Sequence, residues 1–204
     1  MRKYLLAATA AALIAPAAHA GTNVATDWFS ITYRTYHGIL RPGSPWVPNS
    51  TPSNATAPVD GTPQPEQTQW NNGSFWWDEG APEATAPMFW ELQLNKKYAI
   101  NQLLVQADNN DTYRVDYWNG SAWAPIFNVG AVAGFGLMTR DSGVFAPIFT
   151  DRFRFQATGG DLYYSLGQFQ AIGTVPEPAS WAMLIAGFSL VGAASRRRRV
   201  SVSA

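Results

Sequence analysis

A chain of 204 residues without a single cysteine cannot be held by disulfides, and its formal balance of fourteen basic against fourteen acidic residues hides a segregation. Arg2, Lys3, Arg196, Arg197, Arg198 and Arg199 stand at the two ends with only Glu177 to oppose them, so residues 21–175 carry eight bases against thirteen acids. An acidic body of that kind excludes a nucleic-acid partner, because binding a phosphate backbone needs a basic surface that displaces counterions.

Taken from the N-terminus, Arg2 and Lys3 precede an Ala- and Leu-rich run over residues 5–18, which ends in Ala18-His19-Ala20. Signal peptidase accepts small side chains one and three residues before its cut, so residues 1–20 read as a removable export signal and Gly21 as the first mature residue. An exported body could hold disulfides but has none, so packing must stabilise it. Nine tryptophans imply a dense aromatic core, exposed stacking surfaces, or both.

Residues 28–36 can form one strand. Pro42, Pro45, Pro48, Pro52, Pro58, Pro63 and Pro65 then rule out helix or central strand and predict a long surface loop over 41–69. After Pro87 short alternating runs predict strands at 89–94, 100–107, 113–118, 124–129, 151–157 and 166–172. Tyr113, Val115 and Tyr117 share one face, as do Phe153, Phe155 and Ala157; these faces are expected to point inward. Asn109-Asn110, Asn119-Gly120 and Gly159-Gly160 supply turns. The body, residues 21–174, is therefore expected to be one all-β domain, an antiparallel β-sandwich. Beyond it come Pro176-Glu177-Pro178, an apolar run over 181–194 and the four arginines. Fourteen residues fall short of the roughly 20 that a helix needs to cross a bilayer comfortably, and the arginines would stay on the cytoplasmic side.

Catalytic patterns are scarce. His37 is the one histidine of the body, and there is no Gly-x-Ser-x-Gly elbow or His-Glu-x-x-His. Asp78 with Glu79, or Asp108 with Asp111, could pair as acid and base on a glycosidic bond, although adjacent acids in turn-rich sequence more often only form turns. For sugar binding the candidates are Trp76, Trp77, Tyr163 and Tyr164, the first two lying among Asn71, Asn72, Ser74, Asp78 and Glu79. Adjacent residues in a strand point to opposite faces, so at most one ring of each pair is expected in solvent, and burial is the commoner fate of each. Trp70 is expected in the core.

Two resemblances follow from these residues. The segment from Val175 through Pro176, Glu177, Pro178 and Trp181 to Phe188, with its apolar run and Arg196 to Arg199, resembles the PEPxxWA variety of PEP-CTERM tail. That resemblance implies a short hydrophobic sorting helix within 175–200, transiently in the inner membrane. It also implies recognition by exosortase, a membrane protease-transpeptidase, and delivery to the envelope or extracellular matrix of a Gram-negative bacterium.

The order Val59-Asp60-Gly61, Thr68-Gln69-Trp70, the runs at 89–94, 99–106 and 113–117, Trp123 and the ending at 151–173 is similar to the discoidin, or coagulation-factor type C, family. That resemblance implies an eight-stranded, galactose-binding-like jelly roll, a fold that includes many carbohydrate-binding modules. It also implies a structural Ca²⁺ held at Asp60, Thr68 and Gln168. Gln168 replaces the family's glutamate and removes a charge on which calcium affinity depends, and Asp60 reads equally well as a turn residue. The expected function is non-catalytic glycan binding outside the cytoplasm, with signal peptidase, exosortase and polysaccharide as partners. A purely structural matrix protein is the alternative, and a carboxylate-based glycoside enzyme comes third.

Overall fold

The computed structural model describes residues 21–35, 37–46, 54–80 and 88–174, together with 185, 188, 189 and 192. The expected export signal and the tail residues Pro176, Glu177, Pro178, Trp181 and Arg196 to Arg199 lie outside the described residues. Among the described residues, no helix is long and apolar enough to cross a membrane.

Among the described residues nine strands follow in chain order: β1 (Thr22–Asn23), β2 (Trp28–Arg34), β3 (Phe75–Asp78), β4 (Phe89–Asp108), β5 (Thr112–Trp118), β6 (Trp123–Val129), β7 (Leu137–Asp141), β8 (Ile148–Gly159) and β9 (Tyr163–Thr174). Every pairing is antiparallel. The runs expected at 89–94 and 100–107 are one strand of 20 residues, whose exposed centre, Asn95 to Lys97, falls at a register shift. Before the shift β4 pairs with β2 and β8; beyond it β8 stays paired as far as Ile100, and β9 and then β7 become the partners of β4. β4 thus passes from one layer to the other, and the all-β antiparallel sandwich follows from it.

One layer runs β2-β4-β8-β5-β6, and the other joins β1 and β3 through β9 to the second half of β4 and β7. Alternation works as the sequence requires: Trp90, Leu92 and Leu94, with Phe153 and Phe155, turn inward from the first layer and are at most 2% exposed. Leu103, Val105, Phe169 and Ala171 meet them from the second. Rings touch across the gap, Phe153 against Phe169 at 5.3 Å and Trp90 against Phe169 at 5.8 Å between centroids. Burial of such rings is the main stabilising term in a body without disulfides.

The described part of the Pro-rich segment beyond residue 54 packs on the sandwich rather than standing free. One 3₁₀ turn, Ala57–Val59, buries Pro58 and Val59, and the Trp90 indole donates to the Ala55 carbonyl at 2.9 Å. Further on, Gln67 N–H donates to the Leu137 carbonyl and Leu137 N–H to the Thr68 carbonyl, both at 2.8 Å, so the loop is clasped to the start of β7.

Candidate functional site

β3 pairs with β9 so that Trp77 faces Tyr164 and Trp76 faces Ser165. Trp77 and Tyr164 turn into the main core, their rings 5.6 Å apart. Trp76 and Tyr163 turn the other way and meet Trp70 in a second aromatic cluster. The expected solvent-facing ring is not found here: Trp76, Trp77, Tyr163 and Tyr164 are 2%, 0%, 4% and 3% exposed. The alternation holds, but the outer face is covered by residues 37–46, which bring Leu40 and Trp46 onto the rings. Gly38 N–H donates to the Trp76 carbonyl at 2.9 Å. Arg41 binds Asp78 through its backbone N–H at 2.9 Å and its guanidinium at 3.2 Å, and lies 4.5 Å over the Tyr163 ring.

The acid pairs are built into the structure. Asp78 is fully buried and serves Arg41 and the Gly80 N–H. Glu79 accepts from the Trp77 indole, and partial burial raises its pKa. At one end of the sandwich Asp108 and Asp111 are almost closed to solvent. Desolvation, with the charge of Asp161 adding to it, raises Asp108 to about 6; desolvation and the charges of Asp108 and Asp161 raise Asp111 to about 7. Tyr113 donates to Asp111 at 3.0 Å, and buried Arg140 donates to the carbonyls of Ala107, Met138 and Asp108 rather than to carboxylates. A sugar ring cannot enter between acids held this way.

The three positions expected to hold calcium have separate surroundings. Asp60 is exposed and accepts from the Thr62 N–H at 2.7 Å, the geometry of a turn former. Thr68 donates its hydroxyl to the Pro65 carbonyl at 2.7 Å. Gln168 is 1% exposed with both amide atoms unpartnered, and lines a cleft of about 70 Å³ with Pro63, Gln106, Thr139 and Gln170. No hydrogen bond joins the three among the described residues, and they supply one carboxylate. Such a set belongs at the weak end of calcium binding, since affinity rises with ligand charge.

A surface that the sequence reading missed lies on the outer face of the first layer. Ser30, Gln93 and Arg152 form one row across β2, β4 and β8, and Thr32, Glu91, Arg154 and Asp116 the next, extended onto β5. Arg154 donates to Glu91 at 2.6 Å and lies 4.3 Å over the Trp123 ring and 5.0 Å over Phe89. Trp118 meets Trp123 edge to face at 5.6 Å. A shallow hollow of about 50 Å³ opens there, lined by Ser30, Thr32, Glu91, Gln93, Trp123 and Arg152. A half-buried indole fixed by a guanidinium, beside hydroxyl, amide and charged groups, is suited to a polyhydroxylated ligand with an apolar ring face. The signal was present in Arg152-Phe-Arg-Phe-Gln: its apolar members mark the core, and its polar members mark this face.

The PEP-CTERM protein-sorting motif matches residues 174–199. The search of curated proteins finds no match. The fold is similar to that of the family 32 CBM from C. perfringens NanJ, solved in complex with galactose: 12% identity, TM-score 0.50, covering 74% of this chain and 98% of that one. It is also similar to a fucolectin from Morone saxatilis (striped bass) serum, at 12% identity and TM-score 0.51, covering 75% of this chain and 49% of that one. At such identities the likeness concerns the fold. The chain carries a PEP-CTERM protein-sorting motif at residues 174–199, on a body with the galactose-binding-like β-sandwich fold.

Proposed function

We propose that this is an exported, envelope-sorted protein whose sandwich binds carbohydrate without transforming it, on the outer face around Trp123. Export and sorting rest on the motif over 174–199, with signal peptidase and exosortase as the processing partners and a polysaccharide matrix as the destination. The observation that carries the binding reading is the Trp123 ring, held by Arg154 at 4.3 Å over the hollow that Gln93, Arg152, Ser30 and Thr32 border. The named similar structures include a module solved with galactose, which favours the same ligand class here. The non-catalytic reading is supported by the commitment of Asp78, Asp108 and Asp111 to internal contacts.

The test is retention of the purified protein on a panel of immobilised polysaccharides, with Trp123→Ala beside it. The variant should lose about tenfold or more in affinity, since ring stacking contributes on the order of 1–2 kcal/mol. Its melting temperature should stay within a few degrees, because the residue is not part of the core. A parent protein that binds no polysaccharide would leave the structural matrix role in its place.

A further inference from the structure

We infer that the ligand of the Trp123 face is an acidic polysaccharide, whose sugar rings carry carboxylate groups; this rests on the carbohydrate reading above. The reason is the distribution of charge. Residues 21–174 hold eight basic and thirteen acidic side chains. Four of those eight bases, Arg34, Arg114, Arg152 and Arg154, belong to the outer face of one layer, together with only two of the acids, Glu91 and Asp116. The remainder of the body therefore has four bases against eleven acids. A strand face that merely kept the protein soluble would have no cause to concentrate one sign.

Two of the four arginines are used inside the face. Arg154 pairs with Glu91, and Arg114 donates to Asp116 at 3.0 Å and to Gln156 at 3.1 Å. Arg34 and Arg152 are exposed and have no ion pair among the described residues. Arg152 borders the same hollow as Trp123, and Arg34 lies 5.5 Å over Phe89, whose ring also touches Arg154. A free guanidinium presents a planar fork that matches a carboxylate in two hydrogen bonds. Beside it, the indole offers an apolar face for sugar C–H groups, and Ser30, Thr32 and Gln93 offer partners for hydroxyls. A bare anion or an acidic peptide would leave the ring and the hydroxyl-binding groups idle. The acidic remainder of the body repels a polyanion elsewhere and directs it to this face.

The experiment compares affinity of the purified protein for alginate and polygalacturonate, for methyl-esterified polygalacturonate and dextran, and for polyglutamate. We expect the uronate polymers to bind about tenfold or more tighter than the neutral ones, with polyglutamate no better than the neutral set and affinity falling as salt is added. Arg152→Ala and Arg34→Ala should each weaken uronate binding several-fold, and by clearly more than they weaken binding of the neutral polymers, with the melting temperature unchanged. Equal affinity for the acid and its methyl ester, or full uronate binding by the double variant, would overturn the charge inference and leave the Trp123 site standing. Polyglutamate bound as tightly as the uronates would reduce the face to general charge attraction and overturn it as well. Binding to none of the polymers would sink this inference together with the carbohydrate reading.

Discussion

Asp111 shows what burial does to a single carboxylate. Desolvation and the neighbouring charges of Asp108 and Asp161 lift it to about 7, where the unfolded chain would titrate near 4. The folded state therefore holds a proton that the unfolded state has lost between those values. Stability must fall as pH rises through that window and must recover on acidification. Asp27 has the opposite sign: hydrogen bonds from Tyr98 and Asn95 lower it, so its contribution is lost only in stronger acid. The melting temperature should accordingly rise from pH 8 toward pH 5 and turn down below about pH 4. Asp111→Asn keeps a partner for the Tyr113 hydroxyl and removes the titration, so its profile should be flatter and its melting temperature at pH 8 higher than the parent's. A pH 5 to 8 profile as steep as the parent's would contradict this. Nothing in the neighbouring sequence reveals such an environment, since Asp111 stands in an Asn-Asn-Asp turn that looks solvated. The same limit applied to Trp76 and Tyr163. Alternation correctly sent them away from Trp77 and Tyr164, but the cover that Leu40 and Trp46 lay over them comes from about thirty residues away or more.

Strands with strong alternation were legible to within a few residues: β5 at 113–118 and β6 at 124–129 are observed at Thr112–Trp118 and Trp123–Val129. β3, four residues long, is buried at every position, its one polar member Asp78 included, so no exposed polar alternation reveals a period, and β7 is a short strand paired with β4. The clasp between β7 and the Pro-rich loop was also invisible, because it depends on backbone groups. Gly136 permits it: φ is +57°, and a Cβ there would lie 2.0 Å from the Thr68 carbonyl oxygen. Gly136→Ala must therefore push the loop off the start of β7 and strain the backbone, with an expected cost above about 1 kcal/mol. Denaturant melting measures that cost, and hydrogen exchange should show lost protection at the Gln67 and Leu137 amides. Gly143, at φ +65° with open space around its Cβ position, supplies the control, because alanine there meets backbone strain without a clash. Equal losses at the two glycines would show that the clasp contributes nothing beyond local strain.

For the whole molecule, the sorting motif and the β-sandwich fold were readable from sequence, whereas the face around Trp123 required the register that aligns Ser30, Gln93 and Arg152 from three separated strands. Calcium is a question at this scale, because an ion that binds only the folded body stabilises all of it. With one carboxylate the dissociation constant belongs near 10⁻³ M, and ~10 mM calcium would then add about 1.4 kcal/mol. That corresponds to a few degrees in melting temperature for a domain of this size. An unchanged transition between chelator and ~10 mM calcium would remove the ion from Asp60, Thr68 and Gln168. Maturation is the other question. β1 pairs with the end of β9, Thr22 opposite Gly173 and Asn23 opposite Ile172, so both junctions of the body lie on adjacent strands at one edge. The sorting motif begins where β9 finishes, at residue 174. Among the described residues the core side chains of the sandwich run from Val24 to Ala171. The apolar run over 181–194 spans only about 21 Å as a helix, short of the ~30 Å hydrocarbon layer, and so makes a poor permanent anchor. The protein recovered from its native envelope should therefore have the intact mass expected for a start at Gly21, without the segment that follows Pro176-Glu177-Pro178. It should also melt at the same temperature as a chain ending at Thr174. Recovery of material that still carries residues 181–199 would replace sorting by simple anchorage, and with it the proposed route into the matrix.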